Sequence, residues 1–179
     1  MILEPVPLYR PGHVEFKLAT EPWELAAYLQ LRAHIFCGEQ RLFDLTDVDT
    51  IDGRAYAIVA VVHTSGMPDR VAGTVRIYQD LNEPSVWLGG RLGTDPSYRA
   101  AGAIGTGLVR TAVSTARAWG CQRFLAYVQC PNERFFHRLH WRTLERADYQ
   151  GIPHVFMEAE LDHYPPLPSA IPLPRHVAA

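Results

Sequence analysis

The sequence predicts an α+β (mixed α/β) domain, built on a twisted mixed sheet of six to seven strands with helices on both faces. Two observations carry this. Runs rich in β-branched and aromatic residues lie at 14–18, 56–63, 71–78, 86–94, 124–129, 141–147 and 154–161, and three segments with helical signals interrupt them. The resulting order, β-α-β-β-β-α-β-α-β-β, layers helices against a sheet. The chain has 179 residues, 47% of them hydrophobic and 20% charged, which suits one domain that buries its own core.

Each element follows from local chemistry. Val14 to Leu18 is a short strand. Thr20 is expected to cap the first helix, with Pro22 in its first turn and apolar positions at Leu25, Ala26, Leu29 and Leu31, running to about Phe36. A polar loop follows, carrying Asp44, Asp47, Asp49 and Asp52. Tyr56 to His63 and Val71 to Tyr78 are strands joined by a turn at Ser65 to Asp69, and Val86 to Thr94 is a third. The second helix is the clearest element. Ile104, Leu108, Ala112, Ala116 and Trp119 form one stripe, and Gly120 stands where a terminating glycine belongs. Phe124 to Gln129 is a strand, Pro131 opens a short helix to Leu139, and Trp141 to Ala147 and His154 to Leu161 form a last strand pair.

Prolines punctuate both ends, and they suit neither helices nor central strands. Residues 1–12 read as an extended arm, 13–162 as the domain and 163–179 as a proline-rich tail, expected either to pack along a homodimer partner or to stay loose. A net charge of -2 argues against nucleic acid or an anionic membrane as a partner. No segment is long and apolar enough for a membrane span. Three cysteines in no metal-binding spacing, and no signal-like start, point to free thiols in a cytoplasmic protein.

The chemistry concentrates between Leu92 and Leu108. There a strand end, a turn and a loop bearing Gly102 and Gly105 run into a helix N-terminus. Backbone N–H groups in such a loop converge on one concavity, and the helix start adds unpaired donors and partial positive charge, a combination that binds phosphate or pyrophosphate. Arg99 can add a charged fork. The alternative is a tight strand–helix turn whose glycines serve packing alone. No Gly-Lys-Ser/Thr follows, so this is not a P-loop, and the preceding strands are hairpin-linked, which excludes the dinucleotide fingerprint.

At these residues the chain resembles the GNAT acetyltransferase superfamily. Its main motif, a strand, a proline-bearing turn, Arg/Gln-x-x-Gly-x-Gly/Ala and a long helix, is similar to Leu92 through Arg99 and on through Gly102 to Gly105. Asn132 through Trp141 resembles a second motif, and Arg32-Ala-His-Ile-Phe36-Cys-Gly-Glu39-Gln40 resembles the Arg-x-x-Val-Phe-x-x-Glu-Gln of some branches. The chain also has some likeness to a bacterial branch encoded near nitrilase-type nitrogen genes.

The resemblance implies a V-shaped splay between central strands and an acyl-CoA-dependent N-acetyltransferase. Such an enzyme moves acetyl from acetyl-CoA to the amine of a small molecule or amino acid by direct attack. It implies cofactor contacts at Leu92, Gly93, Thr94, Arg99, Ala100, Gly102, Ala103, Ile104, Gly105, Thr106, Asn132 and Phe136. A β-bulge at Leu92 to Thr94 would offer a backbone donor for the thioester carbonyl. The glycine loop is one residue longer than the commonest family spacing, so Arg99 or Gly102 is displaced. Phe136 stands where the family often has a tyrosine that protonates the leaving thiolate.

The remaining candidates have bland readings beside the functional ones. Asn132 caps the short helix or contacts the pantetheine arm. Glu39 and Asp52 serve as base or amine-recognition groups, or form a solvated acidic loop with Asp47 and Asp49. Arg91 points into the cleft toward an acceptor carboxylate, or outward as an edge charge. Tyr127 and Cys130 are stand-ins for the missing acid, and Cys130 is otherwise a small apolar residue. His137 and His140 are three apart with no third ligand apparent, and no metal is assigned. Acyl transfer to a non-amine acceptor, and a CoA- or metabolite-binding module without turnover, are the alternatives. Bulky side chains beside the thioester would favour acetyl.

Overall fold

The computed structural model describes residues 13–100, 102–149 and 151–167, so the expected N-terminal arm and most of the tail lie outside the described residues. In chain order the elements are β1 (Val14–Leu18), α1 (Pro22–Arg32), β2 (Tyr56–Thr64), β3 (Met67–Gln79), β4 (Val86–Thr94), α2 (Ala103–Ala118), β5 (Arg123–Gln129), α3 (Glu133–Arg138), β6 (Trp141–Tyr149) and β7 (Ile152–Ala159). They build one seven-stranded sheet in the order β1-β2-β3-β4-β5-β7-β6. Among the described strands only β4 and β5 pair in parallel, which follows from the helix α2 that connects them.

Both faces are covered, so β2 is buried as a near-continuous apolar run rather than an alternating one. Ile58, Ala60 and Val62 belong to a core with Ile104, Leu108, Ala112 and Val113 of α2. Val59 and Val61 pack with Tyr28, Leu31, Ile35 and Phe36 on the opposite face. The expected stripe on α1 is corrected here. Leu25 and Leu29 are exposed, and the inward face is Glu24, Tyr28, Leu31 and Arg32. The cap is Glu21 rather than Thr20, in a capping box with the buried Glu24 carboxylate. That carboxylate accepts from the Thr20 and Glu21 N–H groups (2.9 and 3.1 Å) and pairs with Lys17 at 2.6 Å.

α1 does not run on as α-helix to Phe36. From Ala33 to Glu39 it widens into a π-helix, closed by the Gln40 N–H on the Ile35 carbonyl at 2.8 Å. Such widenings concentrate at functional sites. The turn expected at Ser65–Asp69 is tighter than its composition suggests, and β3 already begins at Met67. α2 ends as expected, with Gly120 at φ +92 after its last residues.

The tail begins fastened to the domain. Tyr164 is buried, and its hydroxyl accepts from Trp141 Nε1 (3.0 Å) and donates to the Leu139 carbonyl. Arg117 of α2 holds the Leu161 and Tyr164 carbonyls at 2.5 and 2.9 Å. The boundary drawn at 162 therefore cuts through packed structure. Removing one buried hydroxyl leaves two partners unsatisfied, worth about 1–3 kcal/mol each way. Tyr164→Phe is expected to lower unfolding free energy by roughly that amount, read as a lower urea midpoint with an unchanged slope.

Candidate functional site

The cleft is made by where strand pairing stops. β4 and β5 pair only over Val86–Gly89 and Arg123–Ala126, and beyond that point the two strands run on without pairing to each other. On its other edge β4 carries a bulge. Thr74 pairs with Gly93 and Arg76 with Gly90, so Arg91 and Leu92 stand opposite Val75 alone. Arg91 has φ +54, a left-handed conformation rare for a non-glycine residue.

A buried ion network holds that bulge. Arg91 donates from Nε to Asp47 Oδ2 (3.0 Å) and from Nη2 to the Asp47 carbonyl (2.8 Å) and Asp49 Oδ2 (3.2 Å). Its guanidinium also lies over the Phe43 ring, 4.5 Å from the centroid. Arg32, fully buried, donates from Nε to Asp47 (2.7 Å), forks onto Asp52 (2.6 and 3.0 Å) and reaches the Tyr28 hydroxyl (3.0 Å). Arg76 forks onto Asp49 at 2.7 Å twice and meets Asp52 at 3.0 Å. Three guanidinium groups thus meet three carboxylates, and the formal charge cancels.

This corrects the reading of the acidic loop. Asp47 is 2% exposed, and neither it nor its neighbours form a solvated acidic surface. Burial alone would push the Asp52 carboxyl up, but hydrogen bonds from Arg32, the Asp49 N–H and Arg76 hold it well below the usual carboxylate range. A carboxylate so stabilised is a poor base, which removes Asp52 from that role. Arg91 is committed to aspartates and not to an acceptor carboxylate. Glu39 and Arg99, expected in separate roles, pair with each other at 2.5 and 3.0 Å on the surface, while Arg99 Nε donates to the Thr94 carbonyl at 2.8 Å. That pair holds the Glu39 carboxyl below its ordinary value.

The chain turns at Gly102 into the start of α2. The Gly102 N–H reaches the Arg99 carbonyl (3.1 Å), and Gly102 itself has φ +63, which a side chain would disfavour. The first helical bond of α2 runs from the Thr106 N–H to the Gly102 carbonyl (3.2 Å). The N–H groups of Ala103, Ile104 and Gly105 therefore precede it with no partner inside the helix. Gly105 faces Phe135 and Thr94, the latter at the open end of β4. Asn132 makes no side-chain capping bond to α3, so the bland reading of that residue is not realised.

A cavity of about 240 Å³ occupies the splay. Phe36, Gln40 and Phe43 line it on the α1 side, with Leu92, Asn132, Tyr127 and Phe136 along it. Tyr127 is half-exposed and stacks on Phe156 at 4.6 Å. Phe136 is buried, edge-on to Trp141 at 5.0 Å. Among the described residues lining the cavity none is a carboxylate. His154, which the sequence reading passed over, does line it. It is buried, and Nδ1 lies 2.7 Å from the Ile152 carbonyl, an acceptor only. In the neutral ring Nδ1 therefore carries the proton and Nε2 the lone pair. Tyr78 and Tyr149 also line the cavity and were equally unmarked. Only the register of β5 on β7, with Gln129 opposite His154, brings that histidine to the cleft. Of the two histidines considered for a metal, His137 faces the Trp141 carbonyl (3.0 Å) while His140 stacks on His163, so they do not converge. Burial pushes the Cys121 thiol up to about 11. Cys130 accepts a long contact from Arg146 at 3.9 Å.

Comparison with known proteins agrees with this geometry. The model of the acetyltransferase (GNAT) family matches residues 18–141, more than half of the chain. The chain belongs to this family. It is thus an acyltransferase by descent, of a family whose members use acetyl-CoA or CoA. No curated protein matches. Among solved structures the chain is similar to ElaA of Escherichia coli, at 20% identity and a TM-score of 0.68, covering 83% of this chain and 100% of that one. It is similar to an acyl-CoA N-acyltransferase of Pseudomonas aeruginosa, at 20% identity and TM-score 0.65 over 83% and 99%. It is also similar to FeeM, an N-acyl amino acid synthase from uncultured soil microbes, at 9% identity and TM-score 0.66 over 86% and 93%. These likenesses concern the fold. Among the described residues no helix is long and apolar enough to cross a membrane.

The network makes stability depend on acid. Asp49 and Asp52 both have carboxyls that burial would raise but arginine partners hold below their ordinary values. A lowered folded value contributes stability that is complete above the unfolded value of about 3.9 and is lost as pH falls through the folded value. The unfolding midpoint is expected to hold steady from about pH 7 to 5 and to fall steeply below about pH 4, measured by thermal melts across that range.

Proposed function

We propose that this chain transfers an acyl group from acyl-CoA, acetyl-CoA in the simplest case, to the amine of a small molecule or amino acid by direct attack. The observation that carries the proposal is the juxtaposition of three structures. An unpaired helix N-terminus lies at the mouth of the splay, a strained bulge lies within it, and a histidine with an oriented lone pair lines it. The residues present fit the cofactor. The N–H groups of Ala103 to Gly105 would suit its pyrophosphate, Gly102 leaves room for the approach, and Asn132 and Phe136, which line the cavity, would flank its pantetheine. Arg99 would have to leave Glu39 to join the phosphates.

Bound acyl-CoA supplies an activated thioester. The chain supplies the rest. The backbone beside the bulge at Leu92 is our candidate donor to the thioester oxygen. His154 Nε2 is our candidate to accept the proton that the acceptor ammonium must lose before its nitrogen can attack, a role that neither Glu39 nor Asp52 fills in this geometry. The new C–N bond forms as the C–S bond breaks, and the thiolate takes up a proton. Phe136 cannot supply it, so the phenol of Tyr127 is the candidate, with solvent as the alternative source. A binding module without turnover would lack any use for an oriented base at the splay.

Two measurements test this. Thiol release from acetyl-CoA with a panel of amines should show turnover, with Gly105→Asp losing CoA affinity by placing a carboxylate among the helix N–H groups. Equal calorimetric affinity in that variant would move the cofactor elsewhere. His154→Gln should lower kcat/KM by about 10²–10⁴-fold, with CoA affinity intact. Tyr127→Phe measured alongside should lower kcat if the phenol is the proton donor and leave it near wild type if solvent is.

A further inference from the structure

The cavity does not end at the acceptor side of the sheet. Phe36, Gln40 and Phe43 belong to the face covered by α1, but Val109, Ala112 and Val113 line the same cavity from α2, on the other face. The space therefore passes through the plane of the sheet, between β4 and β5. The last residues to pair there are Gly89 and Ala126, and both line it. A Cβ added at Gly89 would meet the Phe124 ring at 3.0 Å, so the passage is kept open by the smallest side chains available. Its far end, walled by Val109, Ala112, Val113, Phe124, Phe136 and Trp141, carries no charge, and all six are buried members of the main core. The apolar inner end is part of a cleft that measures about 240 Å³ with its polar rim included.

Resting on the proposed acyl-CoA reading, we infer that the inner end of this cavity is an acyl-chain site and that the preferred donor carries a chain several carbons longer than acetyl. The thioester lies where the strands part, the amine approaches from the polar rim at Gln40, Tyr127 and His154, and the chain runs the opposite way, between Gly89 and Ala126 into the α2 core. An acetyl group leaves that space without a partner. A chain of this length replaces water with apolar contact at each carbon, worth about fourfold in affinity per fully buried methylene from about 0.8 kcal/mol each. Bulk at the parting of the strands would favour acetyl, and Gly89 and Ala126 supply none there.

Calorimetry with CoA, acetyl-CoA, hexanoyl-CoA and octanoyl-CoA on the whole chain tests this. Octanoyl-CoA is expected to bind at least tenfold more tightly than acetyl-CoA, and Ala112→Leu, which fills the inner end, should abolish that gain while leaving acetyl-CoA affinity unchanged. Ala126→Val, narrowing the passage from the strand, is the second variant should the helix tolerate no bulk. Equal affinities for acetyl-CoA and octanoyl-CoA, with CoA itself binding, would overturn the chain site and leave the acyltransferase reading standing. Preference for octanoyl-CoA that survives in both variants would place the chain elsewhere and overturn it too. No binding of CoA or any thioester would instead bring down the acyl-CoA reading, and the chain site with it.

Discussion

Arg91 sits in the left-handed region in the middle of a strand, an arrangement that costs roughly 1–3 kcal/mol and persists only where the surroundings over-determine it. Here the surroundings are Asp47 and Asp49, which take four of its hydrogen bonds, and the face of Phe43. Release Arg91 and β4 can straighten against β3. A straight β4 could extend its pairing with β5 past Gly89, and the cleft would close. The same aspartates are fixed in turn by Arg32 from α1 and Arg76 from β3. The network therefore ties the first helix, the loop after it and two strands to one backbone irregularity.

Burying six charges is not an economical way to stabilise a core. Apolar residues of similar volume often do as well, whereas removing one partner strands the others at about 3–5 kcal/mol. What the charges add is direction. Bidentate forks from Arg32 and Arg76 permit few geometries, and each aspartate answers to at least two guanidiniums. The loop between α1 and β2 has little regular structure of its own, only a short 3₁₀ turn at Thr50–Gly53, and these forks are what position it. Because the charges cancel among themselves, the cleft is left without a free carboxylate among its described lining residues, and apart from arginines its titratable lining groups are one histidine and three phenols.

Much of the fold was legible in the sequence because it rests on local signals. The β1 and β4 limits, the α2 stripe and its glycine stop depend on residues within a turn or two of one another, and the structure agrees with them. Four features were not legible, and each depends on contacts distant in sequence. Aspartates at 47, 49 and 52 look solvated until arginines from positions 32, 76 and 91 are brought to them. Glu39 and Arg99 look independent until the π-helix turns one toward the other across 60 residues. His154 looks like an ordinary strand histidine. Its place in the cleft follows from the β5–β7 register, and its tautomer from a carbonyl two residues away. The π-helix itself has no local signature, since Ala33 to Glu39 continues a helical pattern and only tertiary packing widens it.

The two faces of the sheet divide the work in a way that the cleft makes necessary. On the α1 side the packing is tied down by ion pairs whose geometry tolerates little movement. On the α2 side the wall of the cavity is apolar and adaptable, without charge to orient anything. A reaction at the gap between β4 and β5 meets both. On the proposed reading, the polar side orients the atoms that exchange bonds, where a displacement of an ångström matters. The apolar side receives the part of the donor that does not react, where fit is a question of volume. Placing the scissile bond in the plane of the sheet lets the acceptor and the unreactive chain occupy opposite faces, so that neither obstructs the other, and that placement requires the two central strands to part.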